Sequence, residues 1–314
     1  MKLATTTGDL IYYCDSVAEA IRTFEGTGFK HLDYSFWRSA WDDRPILKDN
    51  WMDSVKDACR EAEKLGFDFV QAHSPGNNFL NCNEDEFENV VLANTRAIEA
   101  CSYLGIKKII VHSGSDKNLM YPDGKEEYFK LNKVFFERLY PAMEKYGVKV
   151  LIENGSLINS GGKYFFMTGK DMSDFIDYCG HPLLGACWDT GHGNMQTQSV
   201  YDEIITLGDK LEALHVQDNF ETHDDHLAPY MGTLDIDALM NALLDGGFAK
   251  RGCYFTFECD NIISENAACA KGRNRDTRFI QRANEPTLEL KKAAVKFMYE
   301  IGKTILTSYD CFED

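Results

Sequence analysis

Eight short apolar runs recur along the 314 residues of the chain, each five or six residues long. They are rich in Val, Ile, Phe and Leu, a composition typical of strands that are buried on both faces of a parallel sheet. The runs predict strands at residues 2–6, 31–36, 69–73, 108–112, 149–153, 184–189, 212–216 and 254–258. Helical patterns separate the strands, and the clearest predict helices at residues 53–65, 85–104, 126–146 and 236–244.

Glycines stand at the ends of several helical patterns, shortly before the next predicted strand. They are Gly28, Gly66, Gly105, Gly147 and Gly247. Glycine readily adopts the left-handed conformation that commonly ends a helix. Its recurrence at equivalent positions supports a repeated strand–helix unit.

Eight such units fit a closed barrel with modest loop insertions. We predict a single (β/α)8 TIM barrel domain over residues 1–314, with a basic insertion after the eighth strand at about residues 260–285. A last helix, from about residue 286 to residue 306, would close the barrel. An open doubly wound sheet is the alternative, but Thr5-Thr6-Thr7-Gly8 after the first strand is not a glycine-rich phosphate-binding turn. No nucleotide cofactor is therefore expected.

Seven of the eight predicted strands carry a residue that can bind a metal or move a proton. Six of these residues stand at strand ends, namely His73, His112, Glu153, Asp189, His215 and Glu258. Asp33 is the weakest of the seven, because it could hydrogen-bond a substrate hydroxyl but is better explained as the cap of a loop. In a barrel of parallel strands, side chains at the carboxyl ends meet on the face that holds active sites.

The last four strands of the pattern predict a metal site. They carry Glu153, Asp189, His215 and Glu258, which are three carboxylates and one imidazole. Any one carboxylate after a strand is more often a helix cap or a surface charge, but contiguous strands would bring all four side chains together. Oxygen ligands with one nitrogen suit a divalent ion such as Mn²⁺, Co²⁺ or Mg²⁺, and the nitrogen disfavours Mg²⁺.

Composition narrows the classes of function. With 33 Lys and Arg against 50 Asp and Glu, the net charge is −17, which disfavours nucleic acid as a partner. No stretch approaches the roughly 20 apolar residues of a membrane span, and the first residues lack the apolar core of a signal peptide. Ten cysteines without a Cys-x-x-Cys pair are expected to be reduced thiols, which predicts a cytoplasmic protein.

The strand ends also carry recognisable motifs. These are Ala72-His73-Ser74-Pro75, Val111-His112-Ser113-Gly114, Ile152-Glu153-Asn154, Trp188-Asp189-Thr190-Gly191-His192, His215-Val216-Gln217-Asp218 and Phe257-Glu258. With them the chain resembles the xylose isomerase-like TIM barrels over nearly its whole length. That superfamily contains sugar and sugar-phosphate isomerases and epimerases, together with abasic-site nucleases of the endonuclease IV type.

The isomerase branch of this resemblance implies one divalent metal held by Glu153, Asp189, His215 and Glu258. Mn²⁺ is the expected ion, with Co²⁺, Mg²⁺ or Zn²⁺ as alternatives. The two glutamates are then expected to act as opposed acid and base on a small sugar, keto-sugar or sugar phosphate. His192 and His112 would orient substrate oxygens, and His73 and His226 would be outer substrate-binding partners.

The expected chemistry follows from the weak acidity of a sugar C–H bond beside a carbonyl group. A bound metal stabilises the enediolate that forms when this proton leaves. Two carboxylates on opposite faces of the enediolate invert the carbon, whereas transfer on one face gives aldose–ketose isomerisation. The sequence does not choose between an isomerase and an epimerase.

Two other activities remain open. The positions that hold three zinc ions in the nuclease branch are all filled, by His73, His112, Glu153, Asp189, His192, His215, Asp224, His226 and Glu258. A Zn²⁺-dependent phosphodiesterase is therefore an alternative, although the acidic net charge weighs against a DNA enzyme. A metal-assisted lyase or C-glycoside-cleaving subunit is the other alternative.

Further residues bear on substrate and assembly. Trp37 follows the second strand and would stack on a sugar, with packing or a dimer contact as equal alternatives. Arg273, Arg275 and Arg278 follow the eighth strand and could clamp a substrate phosphate, although a solvated loop or a contact to a neighbouring acidic subunit explains them better. A homodimer or homotetramer is expected.

Overall fold

All eight predicted strands form in the computed structural model, which describes residues 1–36, 45–76, 78–196, 199–259, 262–263 and 286–314. In chain order the strands are β1 (Lys2–Thr6), β2 (His31–Ser35), β3 (Asp68–His73), β4 (Lys108–Ile110), β5 (Lys149–Glu153), β6 (Leu184–Asp189), β7 (Leu211–His215) and β8 (Tyr254–Phe257). Their predicted bounds agree with the structure to within one residue, except that β4 ends two residues early.

The strands form one parallel sheet that closes into a barrel. Their order is β7-β6-β5-β4-β3-β2-β1-β8, and a parallel bridge between Val216 and Phe257 joins the two outermost strands. At this junction the Val216 N–H donates to the Thr256 carbonyl oxygen at 2.8 Å, and the Glu258 N–H donates to the Val216 carbonyl oxygen at 3.1 Å. The predicted (β/α)8 TIM barrel is confirmed, and the open doubly wound sheet is excluded.

Helices surround the barrel. Those in the described residues are α1 (Gly8–Ile11), α2 (Val17–Thr23), α3 (Trp51–Leu65), α4 (Glu84–Tyr103), α5 (Lys125–Tyr146), α6 (Leu157–Ser160), α7 (Gly169–Cys179), α8 (Thr190–Asn194), α9 (Val200–Leu207), α10 (Ile236–Asp245) and α11 (Leu288–Ser308). The long predicted helices are confirmed with ends shifted by at most two residues. The last helix, α11, covers β1 and β8, because a Cβ atom on Gly302 would lie 2.7 Å from the side chains of Leu3 and Phe257.

Local sequence explains where the helices begin and end. Asn83 and Glu86 form a capping box at the start of α4, a feature that contributes about 1 kcal/mol. Gly66 and Gly147 end α3 and α5 with φ of 73° and 63°, values that only glycine adopts at little cost. All five glycines singled out in the sequence have positive φ.

Apolar layers on both sides of the sheet support the site. Outside it, aromatic rings pack against one another, and Phe79, in the turn after β3, stacks on Phe135 of α5 at 3.8 Å between ring centroids. Inside the barrel, the fully buried side chains of Ile110, Leu151 and Cys187 form a separate cluster with Ala213. Polar side chains at the carboxyl ends of the strands therefore stand above an apolar interior.

Two irregularities in strand pairing set which residues lie side by side. The pairing of β6 with β7 shifts between Ala186 and Cys187, and it ends with Asp189 opposite His215. The pairing of β2 with β3 shifts after Leu32, so that Asp33 lies opposite Gln71. A shift of one residue exchanges the faces to which side chains point. Both shifts therefore decide which side chains of these strands point into the barrel.

The nine cysteines in the described part of the chain are all free thiols, as predicted. Among the residues that the structure describes, we find no helix that is both long and apolar enough to span a bilayer.

Candidate metal centre

Four strands deliver the predicted metal ligands to one point. Glu153, Asp189 and His215 are the last residues of β5, β6 and β7, and Glu258 directly follows β8. One ligand atom from each of these four residues lies within 4.8 Å of the corresponding atom of every other. The first three residues are at most 1% exposed, and Glu258 is partly buried.

His215 lies between the two glutamates. Its Nδ1 atom is 2.5 Å from Oε1 of Glu153 and 3.3 Å from Oε2 of Glu258. Asp189 accepts the His192 N–H at 2.6 Å and thereby caps the short helix α8. Asp189 therefore caps a helix and also belongs to the ligand group, so both roles considered from the sequence apply to it.

The two glutamates have opposite pKa shifts in the metal-free protein. Burial acts to raise the pKa of Glu153, but His215 and His112 outweigh burial and hold this pKa well below its ordinary value. Burial raises the pKa of Glu258 to about 8, despite the opposing effect of His215. Without a bound ion, the site therefore favours the ionised form of Glu153 and the protonated form of Glu258.

The donor set fits a divalent cation. Three carboxylates crowd within 4.8 Å of one another, and His215 is the one imidazole in this group. Buried carboxylates need a counter-charge, because an unpaired charge in a low-dielectric interior is costly. Oxygen ligands with one imidazole nitrogen are the set that Mn²⁺, Co²⁺ or Zn²⁺ accepts.

A second group of possible ligands adjoins the first. Nε2 of His112 lies 2.5 Å from Oε2 of Glu153, and Nε2 of His73 lies 3.2 Å from Nε2 of His112. His73 donates from Nδ1 to the Ser74 carbonyl oxygen at 2.9 Å, so its Nε2 presents a lone pair to this group. Burial, together with the charge of His112, lowers the pKa of His73 to about 4 and keeps the ring neutral.

A third group lies on the other side of Asp189. His192 and His226 donate from Nδ1 to the carbonyl oxygens of Asn154 and Glu258, each at 2.9 Å. Their Nε2 atoms face Oδ2 of Asp224 at 3.1 Å and 3.3 Å. Burial disfavours charge on His192, but Asp189 and Asp224 outweigh it and raise the pKa of His192 to about 10. A bound cation would take the place of that proton.

Two amides that sequence reasoning left without a role hold these groups together. Nε2 of Gln217 donates to Asp224 at 2.6 Å and lies 3.3 Å from Asp189. Asn154 accepts the Asp189 N–H at 2.7 Å and donates to the Asp189 carbonyl oxygen at 2.9 Å. The available signal was their position, because each amide follows a predicted ligand, Glu153 or His215, by one or two residues.

The structure corrects the interpretation of Asp33 as a loop cap. Asp33 lies within β2 and is 1% exposed, and its Oδ2 atom is 3.4 Å from Nε2 of His215. It therefore lies on the opposite side of the His215 ring from Glu153 and Glu258. Trp37, Arg273, Arg275 and Arg278 lie outside the described residues, as does most of the predicted insertion at residues 260–285.

The chain belongs to the xylose isomerase-like TIM barrel family. The family model described as "Xylose isomerase-like TIM barrel" matches residues 21–279, a range that includes every predicted metal ligand. This match confirms the resemblance inferred from the motifs at the strand ends.

Curated relatives match parts of the chain. A protein of Sinorhizobium fredii described as uncharacterized is 26% identical over 175 residues, which are 53% of this chain and 52% of that protein. An inosose isomerase of Bacillus velezensis is 23% identical over 177 residues, 54% of this chain and 60% of that protein. A probable endonuclease 4 of Citrifermentans bemidjiense is 27% identical over 144 residues, 41% of this chain and 47% of that protein. The chain spans about half the length of these relatives.

Solved structures of similar fold match over nearly the whole chain. D-psicose 3-epimerase with D-tagatose from Clostridium cellulolyticum H10 has a TM-score of 0.73 and 16% identity, covering 98% of this chain and 99% of that chain. The IOLI protein with a binding zinc atom has a TM-score of 0.72 and 16% identity, with the same coverage. Identities this low establish a common fold and no more.

Proposed function

We propose that this protein is a metal-dependent isomerase or epimerase that acts on a small sugar, a keto-sugar or a sugar phosphate. The observation that carries the proposal is the convergence of Glu153, Asp189, His215 and Glu258 to within 4.8 Å at the carboxyl ends of four strands. These four residues would hold one divalent ion, and Mn²⁺ is the ion we expect.

The two glutamates would move the protons. When bound, the ion would polarise the substrate carbonyl group and lower the cost of charge that develops on its oxygen. Glu153 would remove the proton beside the carbonyl, and Glu258, the other glutamate of the ligand group, would return a proton drawn from solvent. Return on the opposite face gives epimerisation, and return to the neighbouring carbon gives isomerisation.

The comparisons support sugar chemistry. The curated relatives include an inosose isomerase, and the solved structures of the same fold include a sugar 3-epimerase with bound ketose. The net charge of −17 supports a small-molecule substrate over a nucleic acid, whose phosphates such a surface repels. His112 and His192, at the edges of the ligand group, would hydrogen-bond substrate oxygens.

A second candidate function is hydrolysis of phosphodiesters with clustered Zn²⁺. The observation that favours it is that two further groups converge beside the first, one around His73 and His112 and the other around His192, Asp224 and His226. Each presents imidazole nitrogens to a carboxylate oxygen, which is the arrangement that Zn²⁺ accepts. The match to a probable endonuclease 4 supports the same candidate.

Metal analysis with a proton-exchange assay tests both candidates. Protein purified without a chelator or an affinity metal is analysed by inductively coupled plasma mass spectrometry, and then incubated with ketoses in D₂O. About one Mn²⁺, Co²⁺ or Mg²⁺ per chain, with deuterium entering the carbon beside the carbonyl, supports the isomerase or epimerase. Two or three Zn²⁺ per chain with hydrolysis of a phosphodiester, and no exchange with any ketose, would overturn it in favour of the second candidate. The Glu153→Gln variant is the inactive control in the exchange and hydrolysis assays.

A further inference from the structure

Asp33 and the metal-ligand group lie on opposite sides of one imidazole ring. Nδ1 of His215 faces Glu153 at 2.5 Å and Glu258 at 3.3 Å, whereas Nε2 lies 3.4 Å from Oδ2 of Asp33. A neutral imidazole has one N–H group and one lone pair, so the group that accepts the N–H decides which nitrogen can bind a metal.

We propose that Asp33 is a positioning residue for the metal centre. With an ion bound, Asp33 would accept the Nε2–H of His215 and leave the Nδ1 lone pair for the ion. Histidines that bind metals commonly donate their other N–H to a carboxylate, which fixes the tautomer and the ring orientation. This inference rests on the proposed function, because it concerns the same ligand group.

A buried chain of hydrogen bonds holds Asp33 in place. Gln71 donates from Nε2 to Oδ2 of Asp33 at 2.8 Å, and Thr256 donates from its hydroxyl to Oε1 of Gln71 at 3.2 Å. The side chains of Gln71 and Thr256 are 0% exposed. The hydroxyl of Thr256 fixes which end of the Gln71 amide faces Asp33. This chain is possible because the shifted pairing of β2 and β3 places Gln71 beside Asp33.

The other oxygen of Asp33 argues against a purely structural role. Oδ1 is buried and has no hydrogen-bond partner among the described residues. A carboxylate that served only to satisfy neighbouring groups would be replaced at lower cost by an amide or an apolar side chain. His215 is the basic side chain in contact with Asp33, so the carboxylate is best explained by what it does to that ring.

Calorimetric titration of the metal-free protein with Mn²⁺ tests the proposal. Asp33→Asn keeps the shape of the side chain and removes its charge, and we expect an affinity for Mn²⁺ about 10- to 100-fold weaker than that of the wild type. Asp171→Asn is the matched control, because Asp171 is also buried with one partnerless oxygen but lies in α7, paired with Lys125. It should change the melting temperature of the metal-free protein and leave the Mn²⁺ affinity unchanged.

A spectroscopic readout separates positioning from stability. In the Co²⁺-substituted wild type, the Nε2–H of a coordinated His215 gives a paramagnetically shifted proton signal that is lost in D₂O. Asp33→Asn should shift or broaden this signal, because a neutral amide oxygen is a weaker acceptor than a carboxylate. Thr256→Val removes only the hydroxyl that orients Gln71, so a smaller, few-fold loss of Mn²⁺ affinity is expected, non-additive with Asp33→Asn.

The outcomes separate this inference from the function on which it rests. Wild-type Mn²⁺ affinity and an unchanged proton signal in Asp33→Asn would overturn the positioning role and leave the metal centre standing. Failure of the wild type to bind any divalent ion would overturn both. If Asp33→Asn does not fold, Thr256→Val decides, and an unaltered affinity in that variant counts against the proposal.

Discussion

Nδ1 of His215 lies 2.5 Å from Oε1 of Glu153, in the barrel mouth, where both residues are buried. The other oxygen of the same carboxylate lies 2.5 Å from Nε2 of His112. Glu153 therefore belongs to two of the three ligand groups at once. Its carboxylate therefore connects the group around His215 with the group around His112.

Glu153→Gln should nearly abolish turnover without unfolding the protein. The amide keeps the size of the side chain but cannot accept a proton, and general acid–base groups typically contribute about 10²- to 10⁴-fold to rate. We expect deuterium exchange on the true substrate to fall by about 10³-fold or more, with an unchanged circular dichroism spectrum. Glu144→Gln, at a largely exposed glutamate beside His181, is the control and should retain full activity. Near-native exchange by Glu153→Gln would disprove the two-carboxylate mechanism.

The affinity for the metal should rise with pH. Glu258 has a pKa of about 8 in the metal-free protein, and a ligand carboxylate must lose its proton when it binds an ion. The association constant for Mn²⁺ should therefore increase by at least about tenfold per pH unit between about pH 6 and pH 8. Titrations in two buffers of different ionisation enthalpy measure the released proton. A constant affinity between about pH 6 and pH 8 would contradict the protonated state of Glu258.

The metal-free protein should lose stability as the pH rises from neutral to about 10. The pKa of His192 is raised from 6.5 to about 10, so the folded state holds this proton more tightly than the unfolded state. The resulting stabilisation is fully present below about pH 6.5 and disappears as the pH rises through about 10. Melting temperatures across this range should fall less steeply in His192→Gln than in the wild type. His223→Gln, at an exposed histidine in a loop, should follow the wild-type curve.

Gly191→Ala should destabilise the protein, because it displaces the Gln217 amide that connects Asp189 with Asp224. A Cβ atom at this position would lie 2.1 Å from Oε1 of Gln217, so the amide would have to leave its place between Asp189 and Asp224. Overpacking of this kind typically costs about 1–3 kcal/mol, which urea unfolding measures. In a Gln217→Ala background the same substitution should cost less, since the clashing group is gone. Equal costs in the two backgrounds would show that the clash has another source.

The sequence predicted the barrel well because its signals are local. Each strand is a short apolar run, and the carboxyl-end rule then places Glu153, Asp189, His215 and Glu258 on one face without any knowledge of their contacts. The prediction for β4 was two residues too long because the run continues through Val111, whose N–H still donates to the Leu151 carbonyl oxygen at 2.9 Å, to His112 beyond the strand. Pattern alone does not show where a hydrogen-bonded ladder stops.

The parts that could not be predicted depend on contacts between distant segments. Asp33 and His215 are 182 residues apart, and Gln71 meets Asp33 only because the pairing of β2 and β3 is shifted. Such shifts leave no clear mark in an apolar run. The link from Gln217 to Asp224 likewise depends on the course of a loop after β7, for which the sequence offers motifs but no geometry.

The barrel closes at the junction between β7 and β8, the two outermost strands of the sheet. Within the described residues it consists of the bridge at Val216 and Phe257, with His215 just before it on one strand and Glu258 just after it on the other. An ion held by His215 and Glu258 would link β7 to β8 a second time, in addition to the backbone hydrogen bonds of the bridge. Loss of that ion would then be felt first as faster hydrogen exchange at the backbone amides of Val216 and Glu258, before any other strand loosens.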